Sequence, residues 1–206
     1  MNPLEKLRNQ VLNGFMKIKF LNGVAAVVAV LLFAGCVVLS VYPFYTARDL
    51  IFDPGLAGRW SDQGSTNTSW QISAIGNKSY SLAIVDEHST NGFEAHLFRL
   101  RQQQFLDLRT TNREDFQMPL HLIVKCNRTE SNLAVTFMDY SWLAKWLEAR
   151  PDALRHVVVY EKPDDTNSSK MVYLTADTKD LQKFLLQHVD DTNAFNSPDQ
   201  LTRQSP

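Results

Sequence analysis

The sequence predicts a mainly β protein, in which one N-terminal transmembrane helix precedes an antiparallel β-barrel or meander with two short helices. A run of 28 residues between Lys19 and Arg48 contains no Asp, Glu, Lys, Arg or His. From Leu56 onward apolar and polar residues alternate, which is the pattern of a half-buried strand. The 206-residue length suits one domain with an attached segment. A hydrophobic content of 44% excludes a chain that is disordered through excess charge.

The uncharged run predicts a single-pass transmembrane helix over residues 20–45, with its core at 21–42. At 1.5 Å per residue the 22 core residues span roughly 33 Å, and the hydrocarbon layer of a bilayer is roughly 30 Å thick. Pro43 ends the pattern, because a proline disfavours helical geometry in the residue before it. Tyr42 and Tyr45 are residues of the type that sits at a membrane interface.

A cleaved signal peptide is the alternative for the same run. Residues 32–36 (LFAGC) resemble the lipobox of bacterial lipoproteins, which would make Cys36 the lipidated residue. The apolar residues 37–39 favour the uncleaved helix, because a mature lipoprotein usually turns polar directly after that cysteine. A buried core helix is a third interpretation, but such helices rarely contain so long an uncharged run. Both membrane interpretations tether the remaining chain to the bilayer.

Charge predicts the orientation of this anchor. Residues 1–19 carry a net charge of +3 and the residues beyond the run carry −4, which together give the chain's −1. Because positive flanks stay in the cytoplasm, we expect a protein of the cell (inner) membrane with its N-terminus on the cytoplasmic side. Its C-terminal part is then extracytoplasmic, in the periplasm. The predicted parts are a basic cytoplasmic tail (1–19), the transmembrane helix (20–45), a linker (46–55), the β-rich domain (56–189) and a polar C-terminal tail (190–206).

The β-rich domain contains nine predicted strands. Each is soon followed by the next, with turn-forming residues between them, which favours an antiparallel meander over helix-linked parallel strands. Two amphipathic helices interrupt it: one over 141–150, capped by Ser141, with Trp142 and Trp146 on one face, and one over 177–189. The predicted strands are 57–61, 69–75, 79–86, 92–100, 104–110, 119–126, 132–139, 155–161 and 170–176.

Two short motifs resemble a known family. Residues 56–60 (LAGRW) resemble the Gly-x-Trp signature of lipocalins, and residues 138–140 (MDY) resemble their second motif, Thr-Asp-Tyr. The resemblance implies a calycin-type antiparallel barrel in which Trp60 packs across the base and an Arg stacks on it, although no Arg of the sequence can be assigned to that position. The layout is also similar to uncharacterised bacterial membrane-anchored or lipoprotein domains. Such a barrel either holds one small ligand or is filled by side chains.

The predicted hairpin over 92–111 carries the best polar cluster. If Gln102-Gln103 form its turn, His96 lies opposite Arg109, and period-2 alternation collects the polar residues on one face. One interpretation is an acid–base or anion-binding cluster with His96 as proton carrier, but the pattern favours a solvated row of charges outside the barrel. The residues of this face are Glu94, His96, Asp107 and Arg109.

The sequence therefore predicts a membrane-anchored binding or envelope-associated module that is not an enzyme. Its partners are the lipid bilayer and either a small hydrophobic ligand or a membrane protein, without cofactor or nucleic acid. An assembly partner in a membrane complex, acting through the Trp142–Trp146 face, is the alternative. A metal site of Glu94, His96 and His121 is disfavoured, because the five histidines lack ligand spacing. The candidate ligand-binding residues are Trp60, Glu94, His96, Asp107, Arg109 and His121.

Overall fold

The computed structural model describes residues 37–62, 68–111, 118–160 and 170–204, and eight of its antiparallel strands close into a barrel. The barrel strands are β2 (Gly58–Asp62), β3 (Ser69–Ala74), β4 (Tyr80–Val85), β5 (Thr90–Leu100), β6 (Gln103–Thr110), β7 (His121–Arg128), β8 (Asn132–Phe137) and β11 (Asp199–Arg203). The other elements are β1 (Leu39–Ser40), a 3₁₀ turn (Pro54–Leu56), α1 (Tyr140–Ala149), β9 (His156–Tyr160), β10 (Lys170–Leu174) and α2 (Thr178–His188).

Strands β2 to β8 follow one another around the barrel, so the predicted antiparallel meander is confirmed. All nine predicted strands are present, with ends shifted by a few residues. The closing strand, β11, lies within residues 190–206, where a polar tail was predicted. It pairs with β8 and β2, and Leu201 lies opposite Leu133 and Asp62. The sequence gives no alternating apolar pattern for β11, because Leu201 is the only apolar residue of this strand.

The chain enters the fold through β1, which extends one side of the barrel wall. Leu39 and Ser40 pair antiparallel with β7 and parallel with β10, and β9 pairs with β10 on its far side. Residues 37–45 are therefore not helical, although they belong to the predicted helix 20–45. Periodicity could not separate these parts, because a continuous apolar run looks the same in a buried strand and a helix.

Residues 20–36 of the predicted transmembrane helix lie outside the described residues. None of the helices in the described ranges is long and apolar enough to cross a membrane. The predicted linker 46–55 packs on the barrel. The backbone N–H of Ile51 donates to the Leu97 carbonyl and that of Arg99 donates to the Asp49 carbonyl, each at an N···O distance of 3.0 Å. The described chain is therefore part of one fold from Val37 onward, with no spacer before β2.

Two apolar layers share the β5–β7 wall. The inner layer fills the barrel, and Trp60, Trp70 and Tyr80 within it are fully buried. The outer layer lies between the wall and the two helices, which bury Leu143 and Phe184 against it. Both helices begin at an Asp whose side chain accepts a backbone N–H. Asp139 caps α1, in place of the predicted Ser141, and Asp177 caps α2.

Candidate functional site

The β5–β6 hairpin carries the predicted polar cluster on the outer face of the barrel, where the strand pattern placed it. Glu94 lies opposite Arg109 and His96 lies opposite Asp107. The predicted pairing was two residues off, because the turn is Arg101-Gln102, with Arg101 at a φ of 53°. A shift of two residues leaves every side chain on its face, so the composition of the cluster was correct although its pairing was wrong.

Asp107 is the buried centre of this cluster and has no solvent-exposed surface. Its Oδ1 lies 2.6 Å from Nδ1 of His121, which is on the neighbouring strand β7. Its Oδ2 accepts the backbone N–H of Phe44 over 2.9 Å. Both carboxylate oxygens therefore have partners, as a buried charge requires.

Glu94 organises the outer half of the cluster. It pairs with Arg109 through a short contact, and its Oε1 lies 3.5 Å from Nε2 of His96. The ring of Tyr45 stacks on His96 with centroids 4.8 Å apart. Burial lowers the pKa of His96 below its usual 6.5. Burial, with the carboxylates of Asp107 and Glu94, raises the pKa of Tyr45 to about 12.

The polar cluster and α2 together hold the segment by which the chain enters the fold. Besides the bond from Phe44 to Asp107, Thr178 donates its hydroxyl to the Pro43 carbonyl over 2.8 Å. Gln182 donates its side-chain N–H to the Phe44 carbonyl over 3.1 Å. The Phe44 side chain is fully buried beneath. We call Asp107, Thr178 and Gln182 the entry clamp.

The entry clamp changes the interpretation of the cluster. Side chains of the pairing residues are only 0–28% exposed, so they do not form a solvated row of charges. Residues 43–45 cover the cluster, and its side chains contact one another. Within the described ranges no group of three or more His, Cys, Asp and Glu side chains is arranged to hold a metal ion. The entry clamp fixes the backbone of Pro43 and Phe44 against the barrel and α2.

Trp60, from the Gly-x-Trp motif, is fully buried in the barrel interior. Its indole N–H donates to the Leu56 carbonyl over 2.9 Å. The guanidinium of Arg203 lies 4.3 Å from the Trp60 ring centroid and donates to the carbonyls of Ala57 (2.9 Å) and Gly55. The sequence could not point to Arg203 as a partner of Trp60, because its strand, β11, was not recognised.

The glycine of the Gly-x-Trp motif has a physical reason. Gly58 adopts a φ of +147°, which side chains rarely allow, and a Cβ there would collide with the guanidinium of Arg203. The neighbouring segment is held in a similar way, since Arg128 forms a salt bridge with Asp53 over 2.6 Å. Two arginines thus hold the 3₁₀ turn across this end of the barrel.

The Trp142–Trp146 face of α1 packs against α2 and is not an open platform. The two indoles lie 6.2 Å apart, and Phe184 lies 5.1 Å from Trp146. His188 sits among these rings, 5.0 Å from Trp142, and burial lowers its pKa. Packing between helices therefore explains this aromatic pair.

The strand β9 carries the longest run of exposed apolar side chains in the described structure. It lies at the edge of the sheet and pairs only with β10 among the described strands. Val157, Val158, Val159 and Tyr160 are 50%, 37%, 47% and 54% exposed. They cover both faces of the strand, because successive side chains point to opposite sides. Such an edge is a site at which another strand can pair.

The remaining predicted residue, Cys36, lies outside the described residues. The thiol of Cys126 is buried in the barrel, and burial raises its pKa to about 12, which disfavours the reactive thiolate. Comparison of the chain with protein-family models, with curated proteins and with solved structures finds no match.

Proposed function

We propose that the chain is a membrane-anchored, extracytoplasmic, non-catalytic module that assembles with a second copy of itself through the open edge of β9. The observation that carries this proposal is the run of four exposed apolar residues on an edge strand. Soluble proteins usually protect such edges with charged residues or proline. Residues 156–160 (HVVVY) contain neither.

The barrel interior supports a surface-acting module over a carrier of a small ligand. Trp60, Trp70 and Tyr80 project into it and are fully buried, and they pack with leucines of β6 and β7. An eight-stranded barrel is just wide enough for side chains to fill it. Indoles and a phenol at these positions take the volume that a ligand would need.

A second copy of the chain would provide a strand to pair with the open edge of β9. A bilayer or a flat surface would cover one face of the strand, whereas an added strand satisfies its free edge and lets partner side chains cover both faces. Antiparallel pairing centred on Val158 places Val157 opposite Val159 and His156 opposite Tyr160, so no like charges meet. Five residues bury far less than the roughly 800 Å² per partner of a standard interface. Tethering in one membrane offsets this by raising the effective concentration.

Photo-crosslinking in native membranes tests the proposal. A photoreactive residue at Val157, which is 50% exposed, is expected to give a product of twice the chain mass, and the same probe at Ile75, which is 44% exposed, is the matched control. Val158→Lys places two ammonium groups opposite each other and abolishes the product, whereas Val158→Ile retains it. A product containing a different protein, or no product above the Ile75 control, contradicts self-assembly.

The form of the anchor has two candidates, and one structural observation bears on them. Val37 and Val38 are buried in the fold, so at most residues 20–36 of the predicted helix 20–45 remain for a membrane span, which is 17 residues or roughly 26 Å if helical. Burial also accounts for the apolar residues after Cys36 that had favoured the uncleaved helix. This supports lipidation at Cys36 as the second candidate.

Intact-mass measurement of the protein extracted from its membrane separates the two anchors. Retention of residues 1–35 without added lipid mass identifies the transmembrane helix. Loss of residues 1–35 with acyl chains on Cys36 identifies the lipoprotein. Either result retains the tether on which assembly through β9 depends, and a chain that remains in the aqueous fraction contradicts both.

We also infer a lipocalin-like relationship. Its support is the Gly58-x-Trp60 pair with Arg203 stacked on the indole and an eight-stranded antiparallel barrel. The insertion of α1, β9, β10 and α2 before the closing strand departs from a simple meander. That insertion carries β9, so the proposed assembly edge is an addition to the barrel.

A further inference from the structure

A groove on the outer surface of the barrel is unusually rich in side-chain amides. Its volume is about 530 Å³, within the roughly 300–1,000 Å³ of small-molecule sites. Asn and Gln account for 24 of the 206 residues of the chain but for six of the twelve that line the groove. We call it the amide groove, after Gln102, Gln103, Gln104, Asn127, Asn196 and Gln200.

The floor of the amide groove is formed by residues that lie side by side on three neighbouring strands. Asn127 on β7 lies opposite Ala134 on β8, and Ala134 lies opposite Gln200 on β11. Because neighbouring strands are about 4.8 Å apart, the two amides stand roughly 10 Å from each other with a small side chain between them. Thr136, two residues along β8, continues this floor. The result is a shallow slot with hydrogen-bonding groups on both sides.

The groove offers neutral hydrogen-bonding groups in excess of what the protein uses. Within the described part of the chain none of the six amides bonds another protein group, and each presents two N–H donors and a carbonyl acceptor. Among the described residues that line the groove there is no Asp or Glu, and Lys125 is the only Lys or Arg. This lysine donates to the Val189 carbonyl over 2.8 Å and lies 5.8 Å from the Phe195 ring centroid.

This chemistry selects among ligand classes. An anionic ligand would find only an ammonium group that is already bonded, and an apolar ligand would desolvate amides without giving them partners. Adjacent hydroxyls of a sugar suit a carboxamide, because one can accept from its N–H while the other donates to its carbonyl. We propose that the amide groove binds a neutral oligosaccharide. This site is independent of the β9 edge.

Titration of the full chain with defined sugars tests the proposal. The probes are the β-1,4-linked tetramer of N-acetylglucosamine and maltotetraose, with an uncharged tetrapeptide as the competing class. The protein is held in a detergent without a sugar headgroup, because such a headgroup would compete for the groove. Chemical-shift changes of the Asn127 and Gln200 side-chain amides report binding. We expect saturable shifts with at least one of the two sugars and none with the peptide.

Two variants locate the binding in the groove. Ala134→Leu fills the floor and is expected to weaken binding at least about tenfold. Gln200→Ala removes one amide and is expected to weaken it about 3- to 10-fold, the effect of one or two hydrogen bonds. The matched controls are Ala83→Leu and Gln71→Ala, because these residues form an equivalent Ala–Gln pair on β4 and β3 outside the groove.

Three results would overturn the assignment. The first is the absence of saturable shifts with both sugars, and the second is saturation by the peptide alone. The third is equal weakening of sugar binding by the control pair and the groove pair. A variant that fails to fold is recognised because its amide signals lose their chemical-shift dispersion. Gln200→Ala, which truncates an exposed side chain, then provides the decisive comparison. None of these results depends on assembly through β9.

Discussion

Removal of the Arg203 guanidinium should destabilise the barrel through the loss of three contacts made by one side chain. Arg203 lies 4.3 Å from the Trp60 ring centroid and donates to the Ala57 and Gly55 carbonyls. A cation–π contact contributes about 0.5–2 kcal/mol, and a hydrogen bond to a charged group about 1.5–3 kcal/mol. Because these contributions overlap and solvent partly replaces the guanidinium, we expect Arg203→Ala to cost about 2–4 kcal/mol in the free energy of unfolding.

The assay is thermal and urea unfolding of the full chain in detergent, followed by circular dichroism. For a protein of this size the loss corresponds to a fall in Tm of roughly 5–15 °C. Arg203→Lys retains the charge but not the two-pronged donor geometry, so its cost should be intermediate. Arg59→Ala, an exposed arginine on β2, is the matched control. A cost of Arg203→Ala equal to that of the control would refute the reasoning.

The contact between the guanidinium and the indole can be isolated in a double-mutant cycle. Combining Arg203→Ala with Trp60→Phe should give a coupling energy of about 0.5–2 kcal/mol, because a Phe ring attracts a cation less strongly than an indole does. A coupling energy of zero would mean that Arg203 acts only through the carbonyls.

Three further perturbations follow from the geometry. Asp107→Ala leaves a buried imidazole and the Phe44 N–H without partners, so it should cost about 3–5 kcal/mol and speed hydrogen exchange at Phe44. Burial lowers the pKa of His96 below 6.5. As pH falls below about 6.5 the unfolded chain therefore binds the proton first, stability falls, and His96→Phe should flatten that dependence of Tm. Gly58→Ala should cost roughly 1–3 kcal/mol, because its φ of +147° strains a side chain that also meets Arg203.

Each of these predictions has a result that contradicts it. The exposed Asp152 is the control for Asp107, and equal losses of stability in the two alanine variants would mean that the entry clamp holds nothing. An unchanged pH dependence in His96→Phe would assign the loss of stability in acid to other groups. An unchanged Tm in Gly58→Ala would show that the backbone at the motif tolerates a side chain.

The barrel could be predicted from the sequence because its strands alternate strictly. Phe93, Ala95 and Leu97 point inward while Glu94 and His96 point outward, and this alternation survives an error of two residues in the pairing. The strand β11 gives almost no such signal, since Leu201 is its only apolar residue. Missing it also hid the role of Arg203.

The N-terminal boundary could not be predicted for a different reason. Val37 and Val38 continue an apolar run, and local sequence does not distinguish a membrane segment from a strand buried between two apolar layers. The entry clamp was equally hidden, because Asp107 and Phe44 are 63 residues apart. Long-range contacts of this kind appear only when the chain is folded.

Hydrogen exchange at β9 in native membranes tests self-assembly most directly. The β9 amides that do not bond to β10 point away from the described sheet, and pairing with a second copy would slow their exchange. We expect these amides to exchange at least about tenfold more slowly in the wild-type protein than in Val158→Lys, while the amides bonded to β10 stay protected in both. Equally fast exchange of the outward amides in both proteins would contradict assembly through this edge.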